Sequence, residues 1–138
     1  MKRFATANWQ GTGKEGKGNL TSQSTLLNKA QYSWGSRFAE GVGTNPEELV
    51  AAAHAGCFTM KLSFNIDAAG FKAENIDTRC DITLDPQKGE ITDSHLTVNA
   101  KVPGLSKEKF DELVENAEKN CPVSKLLKAR ISVTATLN

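Results

Sequence analysis

A chain of 138 residues, 38% hydrophobic and 24% charged, is long enough for a single packed domain, taken as residues 1–138, and some of its apolar surface is left for a partner chain. Seventeen basic residues against sixteen acidic ones leave a net charge of +1, which argues against nucleic acid as the main ligand because no strongly basic face is implied. No stretch approaches the ~18 apolar residues that suggest a membrane span, and the opening MKRFATANWQ lacks the apolar run of a secretory signal. A cytoplasmic location with reduced thiols is expected.

In chain order, FATANWQG and KGNLTSQSTLL read as two strands around the Gly/Lys-rich turn TGKEGKG. YSWGSRFAE reads as a short strand leading into the loop GVGTN. A long helix follows. Asn45 is a good N-cap, Pro46 suits the first helical position, Glu48 stands where it can reach back to the Asn45 backbone, and the helix runs to Gly70. Its centre, AAAHAG, is almost all small residues, which suits close approach by another backbone in a buried position. The plainer reading is alanine's high helix propensity. The apolar stripe is expected along Leu49, Ala53, Gly56, Met60 and Phe64, with Cys57 on or near it.

Downstream, Ile76, Thr78, Cys80, Ile82 and Leu84 alternate, as do Leu96, Val98, Ala100 and Val102, with DPQKGE as the turn between two strands. Ser106 caps a second helix with Phe110, Leu113, Val114 and Ala117 on one face. CPVSKLLK is a third, short helix, and ARISVTATL a final strand. Grouped strands and helices with hairpin connections predict an α+β fold with mostly antiparallel sheets packed around long helices.

Three cysteines and two histidines carry the chemistry. No C-x-x-C occurs and the histidines are not grouped with the cysteines, so the spacing does not read as a zinc site. Cys121 precedes Pro122, which pushes it out of helical conformation and makes it the N-cap of the third helix. Backbone N–H groups there favour a thiolate, although a half-buried residue that merely joins two helices fits the position equally well. Alone, Cys57 reads as a core cysteine, as does Cys80.

GTNPEELVAAAHAGCFTM and NCPVSKLLKARI, with ANWQG, KGNLTSQSTLLN and YSWGSRFAEGVGTNPEEL before them, closely resemble the OsmC/Ohr family of thiol peroxidases over nearly the whole chain. That resemblance implies an intertwined dimer that reduces organic hydroperoxides to alcohols with no metal, flavin or haem. By it, Cys57 in AGCF is the peroxidatic cysteine and Cys121 in NCPVS the resolving one. Arg37 in SRF is the arginine of the OsmC branch and Glu47 in NPEEL the glutamate that pairs with it. An external dithiol, dihydrolipoyl groups in the family, would reduce the resulting disulfide. Cys80 has no place in the motif, and the mechanism assigns nothing to His54.

With those roles, geometry adds an expectation. Glu47 and Cys57 are about 15 Å apart along one straight helix. One arginine can hardly serve both within one chain, so either the helix begins later or the site combines two chains in a two-fold dimer. Phe4, Trp9, Tyr32, Trp34, Phe38, Phe58 and Phe64 are candidates for an apolar substrate mouth, with more of them expected in the core than in the pocket. His95 is expected on a solvated strand face. Two other readings use the same residues: a general thiol–disulfide oxidoreductase, which the missing C-x-x-C disfavours, and a non-catalytic stress-induced protein with a small-ligand pocket and inert cysteines.

Overall fold

The computed structural model describes residues 1–138, which divide into two units, Met1–Leu49 and Val50–Asn138. In the first, β1 (Ala5–Gln10), β2 (Lys17–Ser22) and β3 (Ala30–Ser33) form an antiparallel sheet in that order. Gly18 on β2 pairs with both Trp9 and Tyr32, whose rings meet at 5.3 Å between centroids. An added Cβ at Gly18 would stand 2.5 Å from the Tyr32 ring and 2.6 Å from the Trp9 ring. Glycine is therefore what lets the two aromatics close over the central strand.

The stretch expected to run from a short strand into a loop forms β3 and then a helix, α1 (Trp34–Phe38). Ser33 and Ser36 cap it reciprocally: the Ser36 N–H donates to Ser33 Oγ at 3.1 Å and the Ser33 N–H to Ser36 Oγ at 2.8 Å. Ser36 Oγ also donates to the Thr44 carbonyl at 2.8 Å. A five-residue helix has no period to read in a sequence, and these local bonds decide it.

The long helix α2 (Pro46–Ala68) begins as its caps predict. The Glu48 N–H donates to Asn45 Oδ1 at 2.8 Å, but the Glu48 carboxylate accepts from the Thr44 hydroxyl at 3.2 Å rather than from the Asn45 backbone. Gly70, with φ +85°, closes the helix, and the Phe71 N–H returns to the Ile66 carbonyl at 3.1 Å.

In the second unit, β4 (Asn75–Asp85), β5 (Glu90–Lys101) and β6 (Arg130–Leu137) form a sheet in that order. β4 and β5 are an antiparallel hairpin, while β6 runs parallel to β5. Parallel pairing needs a long crossover, and α3 (Lys107–Asn120) and α4 (Pro122–Leu126) supply it. The mostly antiparallel α+β architecture is the expected one. The core joins Phe58, Leu62 and Ile66 of α2, Leu96, Val98 and Ala100 of β5, and the predicted face of α3.

One expectation about α2 is overturned. Its buried face is His54, Phe58, Leu62 and Ile66, whereas Met60 and Phe64, assigned to the apolar stripe, are 62% and 61% exposed. The helix is apolar around most of its circumference, so periodicity cannot choose between its faces.

Candidate active site

Cys121 stands at the junction of two helices. It ends α3, its N–H donating to the Ala117 carbonyl at 2.9 Å, and it begins α4, its carbonyl accepting from the Lys125 N–H at 3.0 Å. Pro122 at the first helical position enforces the break. Cys121 is the predicted N-cap, but its sulfur makes no capping bond. It is fully buried and donates its S–H to Cys57 Sγ at 2.8 Å.

Cys57 is half-buried on α2. Burial pushes its thiol up, as does the adjoining Cys121 thiol, while a backbone N–H from Val123, in the first turn of α4, pulls it down. The free amide that the sequence suggested for Cys121 thus serves the other sulfur. The two thiols are in direct contact. Chemically they are a dithiol able to exchange two hydrogens for one S–S bond of about 2.05 Å, and the short gap between the sulfurs requires no loop to move.

The first unit holds the other predicted pair. Arg37, in the last turn of α1, donates through Nε and Nη2 to Glu47 Oε1 at 2.9 and 2.7 Å, with Nε also 3.2 Å from Oε2. This forked contact fixes the guanidinium plane. Arg37 also lies over the Phe38 ring at 5.0 Å. The four predicted residues thus form two contacting pairs, each internal to one unit. α2 starts at Pro46, which removes the option that the helix begins after Glu47.

Of the seven candidate mouth aromatics, expected more in the core than in a pocket, Phe58 is in the core, and Phe4, Trp34, Phe38 and Phe64 are exposed. A groove of ≈ 680 Å³ lies between α2 at Ala55, Gly56 and Thr59 and the start of β4 at Ile76 and Thr78; Cys57 does not line it. An added Cβ at Gly56 meets no atom within 4 Å.

A further polar cluster lies inside the second unit. His54 is completely buried; Nδ1 is 2.7 Å from Ser94 Oγ on β5 and Nε2 is 2.9 Å from Ser124 Oγ on α4. Cys80 Sγ is 3.2 Å from Ser94 Oγ. Cys80 packs against the core as predicted, and burial pushes its thiol up. Ser94 and Ser124 were not anticipated. Ser94 could have been: it shares the inward parity of Leu96, Val98 and Ala100, where a hydroxyl calls for a buried partner. His95, on the opposite face of β5, pairs with Ser132 at 2.6 Å.

The model of the OsmC-like protein family matches residues 39–136. The chain is 43% identical over 129 residues to the peroxiredoxin OsmC of Escherichia coli strain K12, covering 92% of this chain and 90% of that one. It is 36% identical over 102 residues to an organic hydroperoxide resistance protein of Xanthomonas axonopodis pv. citri, covering 72% and 70%. Among solved structures, OhrB of Bacillus subtilis superposes with TM-score 0.64 at 26% identity over 98% of both chains. An OsmC-like protein from Mycoplasma pneumoniae superposes with TM-score 0.75 over 99% of this chain and 97% of that one; at 16% identity this is likeness of fold alone. An α+β fold presenting two thiols from helical elements defines the class as thiol-redox proteins. The chain belongs to the OsmC-like family.

Proposed function

We propose that the chain is a cysteine-based peroxidase that reduces organic hydroperoxides to alcohols through a sulfenic acid and an internal disulfide. The peroxide-related redox role comes with the family, whose relatives include a named peroxiredoxin and organic hydroperoxide resistance proteins. The observation that carries the finer reading is the 2.8 Å contact between Cys57 and Cys121.

Cys57, the more accessible sulfur, is the nucleophile. Its thiolate attacks the terminal peroxide oxygen; the O–O bond breaks, the alkoxide takes a proton and leaves as alcohol, and Cys57 is left as a sulfenic acid. The Cys121 sulfur then attacks the Cys57 sulfur, and the hydroxyl leaves with the Cys121 proton as water. An external dithiol, such as a dihydrolipoyl group, returns the disulfide to two thiols. The Val123 N–H and a permanently charged Arg37, aligned by Glu47, oppose the effect of burial and favour the Cys57 thiolate.

In this reading residues 1–138 act as one domain and the working species is a two-fold dimer. The open face of α2 at Gly56, Met60 and Phe64, with the exposed aromatics of the first unit, supports a second copy as their cover. The helical spacing of Glu47 and Cys57 supports a site built from both chains.

One equivalent of cumene hydroperoxide without reductant, followed by intact mass and peptide mapping, tests the reading. A Cys57–Cys121 bridge with the loss of two hydrogens is expected. Two thiols that remain alkylatable would remove the peroxidase cycle and favour the ligand-binding alternative.

A further inference from the structure

α4 has five residues, too few to persist as a free helix, so its place depends on what it is fastened to. The Val123 N–H serves the Cys57 sulfur, and the one hydrogen bond made by a side chain of residues 122–126 joins Ser124 Oγ and His54 Nε2. The spacing around that bond gives it a purpose. His54 and Cys57 are three apart on α2 and therefore share a face. Cys121 and Ser124 are likewise three apart, one at the N-cap and one inside the first turn of α4. The two helical segments thus meet in two rungs a turn apart: His54 with Ser124 at 2.9 Å, and Cys57 with Cys121 at 2.8 Å.

The first rung is anchored beyond α2. The other ring nitrogen of His54 is held at 2.7 Å by Ser94, on the central strand of the sheet. Cys80 stands behind Ser94 at 3.2 Å, and its burial keeps it a thiol. Donation running one way along the chain satisfies every member, either from the Cys80 S–H through Ser94 and His54 to Ser124 Oγ, or from the Ser124 O–H through His54 and Ser94 to Cys80 Sγ. The imidazole is neutral in this chain, and its orientation is fixed from both sides.

We propose that His54 is a positioning residue for the disulfide-forming step: through Ser124 it locks α4 in the register that holds Cys121 against Cys57. The inference rests on the two-cysteine cycle proposed above. In that step the Cys57 S–O bond breaks, the S–S bond forms, and the displaced hydroxyl leaves as water with the Cys121 proton. An α4 that drifts from α2 removes the attacking sulfur and leaves the sulfenic acid waiting. His54 does not touch the reacting atoms.

Removing His54 would take the imidazole from two buried hydroxyls and endanger folding, so the test uses the outer partner. The parent, Ser124→Ala and Ser124→Thr are mixed with one equivalent of cumene hydroperoxide and quenched at intervals into dimedone, and intact mass gives the sulfenic and bridged fractions. The parent is expected to pass to the bridge with little adduct. In Ser124→Ala the ratio of the bridging rate to the sulfenic-forming rate falls roughly tenfold, the worth of one buried hydrogen bond, and adduct accumulates. Ser124→Thr, which keeps the hydroxyl, restores the ratio. If Ser124→Ala bridges as fast as a bridging parent, the positioning role is overturned while the two-cysteine cycle stands. A threonine variant as slow as the alanine one would assign the effect to packing and also overturn it. A parent that never bridges overturns the cycle, and this inference with it.

Discussion

The two units solve the problem of burial differently. Residues 50–138 gather thirteen hydrophobic residues, Cys121 among them, into a closed core between two helices and a sheet. Within residues 1–49 only Gly16, Gly18 and Ser36 are buried, while Phe4, Leu26, Trp34, Phe38 and Val42 stand exposed. Three strands need an apolar face covered to be stable in water, and the first unit fully buries none of its large apolar side chains. The difference separates two tasks: the second unit holds a pair of thiols in fixed contact, and the first presents a forked arginine and an aromatic surface.

Substitutions can break or sharpen that contrast. The largest effect is expected from Cys57→Ser in the well-packed unit, which should lower hydroperoxide consumption by about a thousandfold or more, because no other group replaces the nucleophile. A steady-state assay with an external dithiol checks it, and a serine variant that still turned over would place the chemistry elsewhere. Arg37→Ala, in the open unit, should cost roughly a hundredfold in kcat/KM and raise the Cys57 pKa. Thiol titration by alkylation rate is the measurement, and an unchanged pKa would remove the electrostatic role.

Two phenylalanines on one helix then compare the surfaces directly. Phe58 is completely buried and Phe64 is 61% exposed. Phe58→Ala should cost about 3–5 kcal/mol in denaturant unfolding. Phe64→Ala should change monomer stability by about 0.5 kcal/mol or less yet weaken self-association in sedimentation equilibrium. Equal losses of stability in the two variants would erase the distinction drawn between the two faces of α2.

The smallest effect concerns His54, whose burial holds its pKa below the ordinary histidine value. The neutral ring is favoured in the folded state and the unfolded chain takes up the proton first. Stability is therefore fully present above pH 6.5 and is lost as pH falls from there towards the lowered folded value. Chemical denaturation across that window checks the sign, and Ser124→Ala should reduce the slope if it admits water to the ring.

The sequence discloses the elements whose signals are local. Asn45 and Pro46 start α2, Ser106 starts α3, and Pro122 sets α4 after Cys121; each acts through its own backbone, so each can be read without a fold. What escapes depends on distance or on a choice between equals. β6 lies parallel to β5 only because two helices carry the chain back across the sheet. α2 is apolar on several sides, and the outward stripe at Met60 and Phe64 is as periodic as the buried one. The four site residues came from family resemblance, since position alone makes Cys57 a core cysteine. Ser124 was missed because a serine inside a short helix carries no sign of the histidine seventy residues earlier that holds it.

The unequal exposure of the two sulfurs has a consequence for how a disulfide between them is opened. Cys121 is sealed at 0% exposure while Cys57 is half open. In the proposed cycle an incoming thiolate would meet the Cys57 sulfur first, in line with the bond it must break. The mixed disulfide would then form at Cys57 with Cys121 as the leaving group, sheltered from capture by a second molecule of reductant. Reduction of such a bridge would be regioselective, and the selectivity would come from shielding.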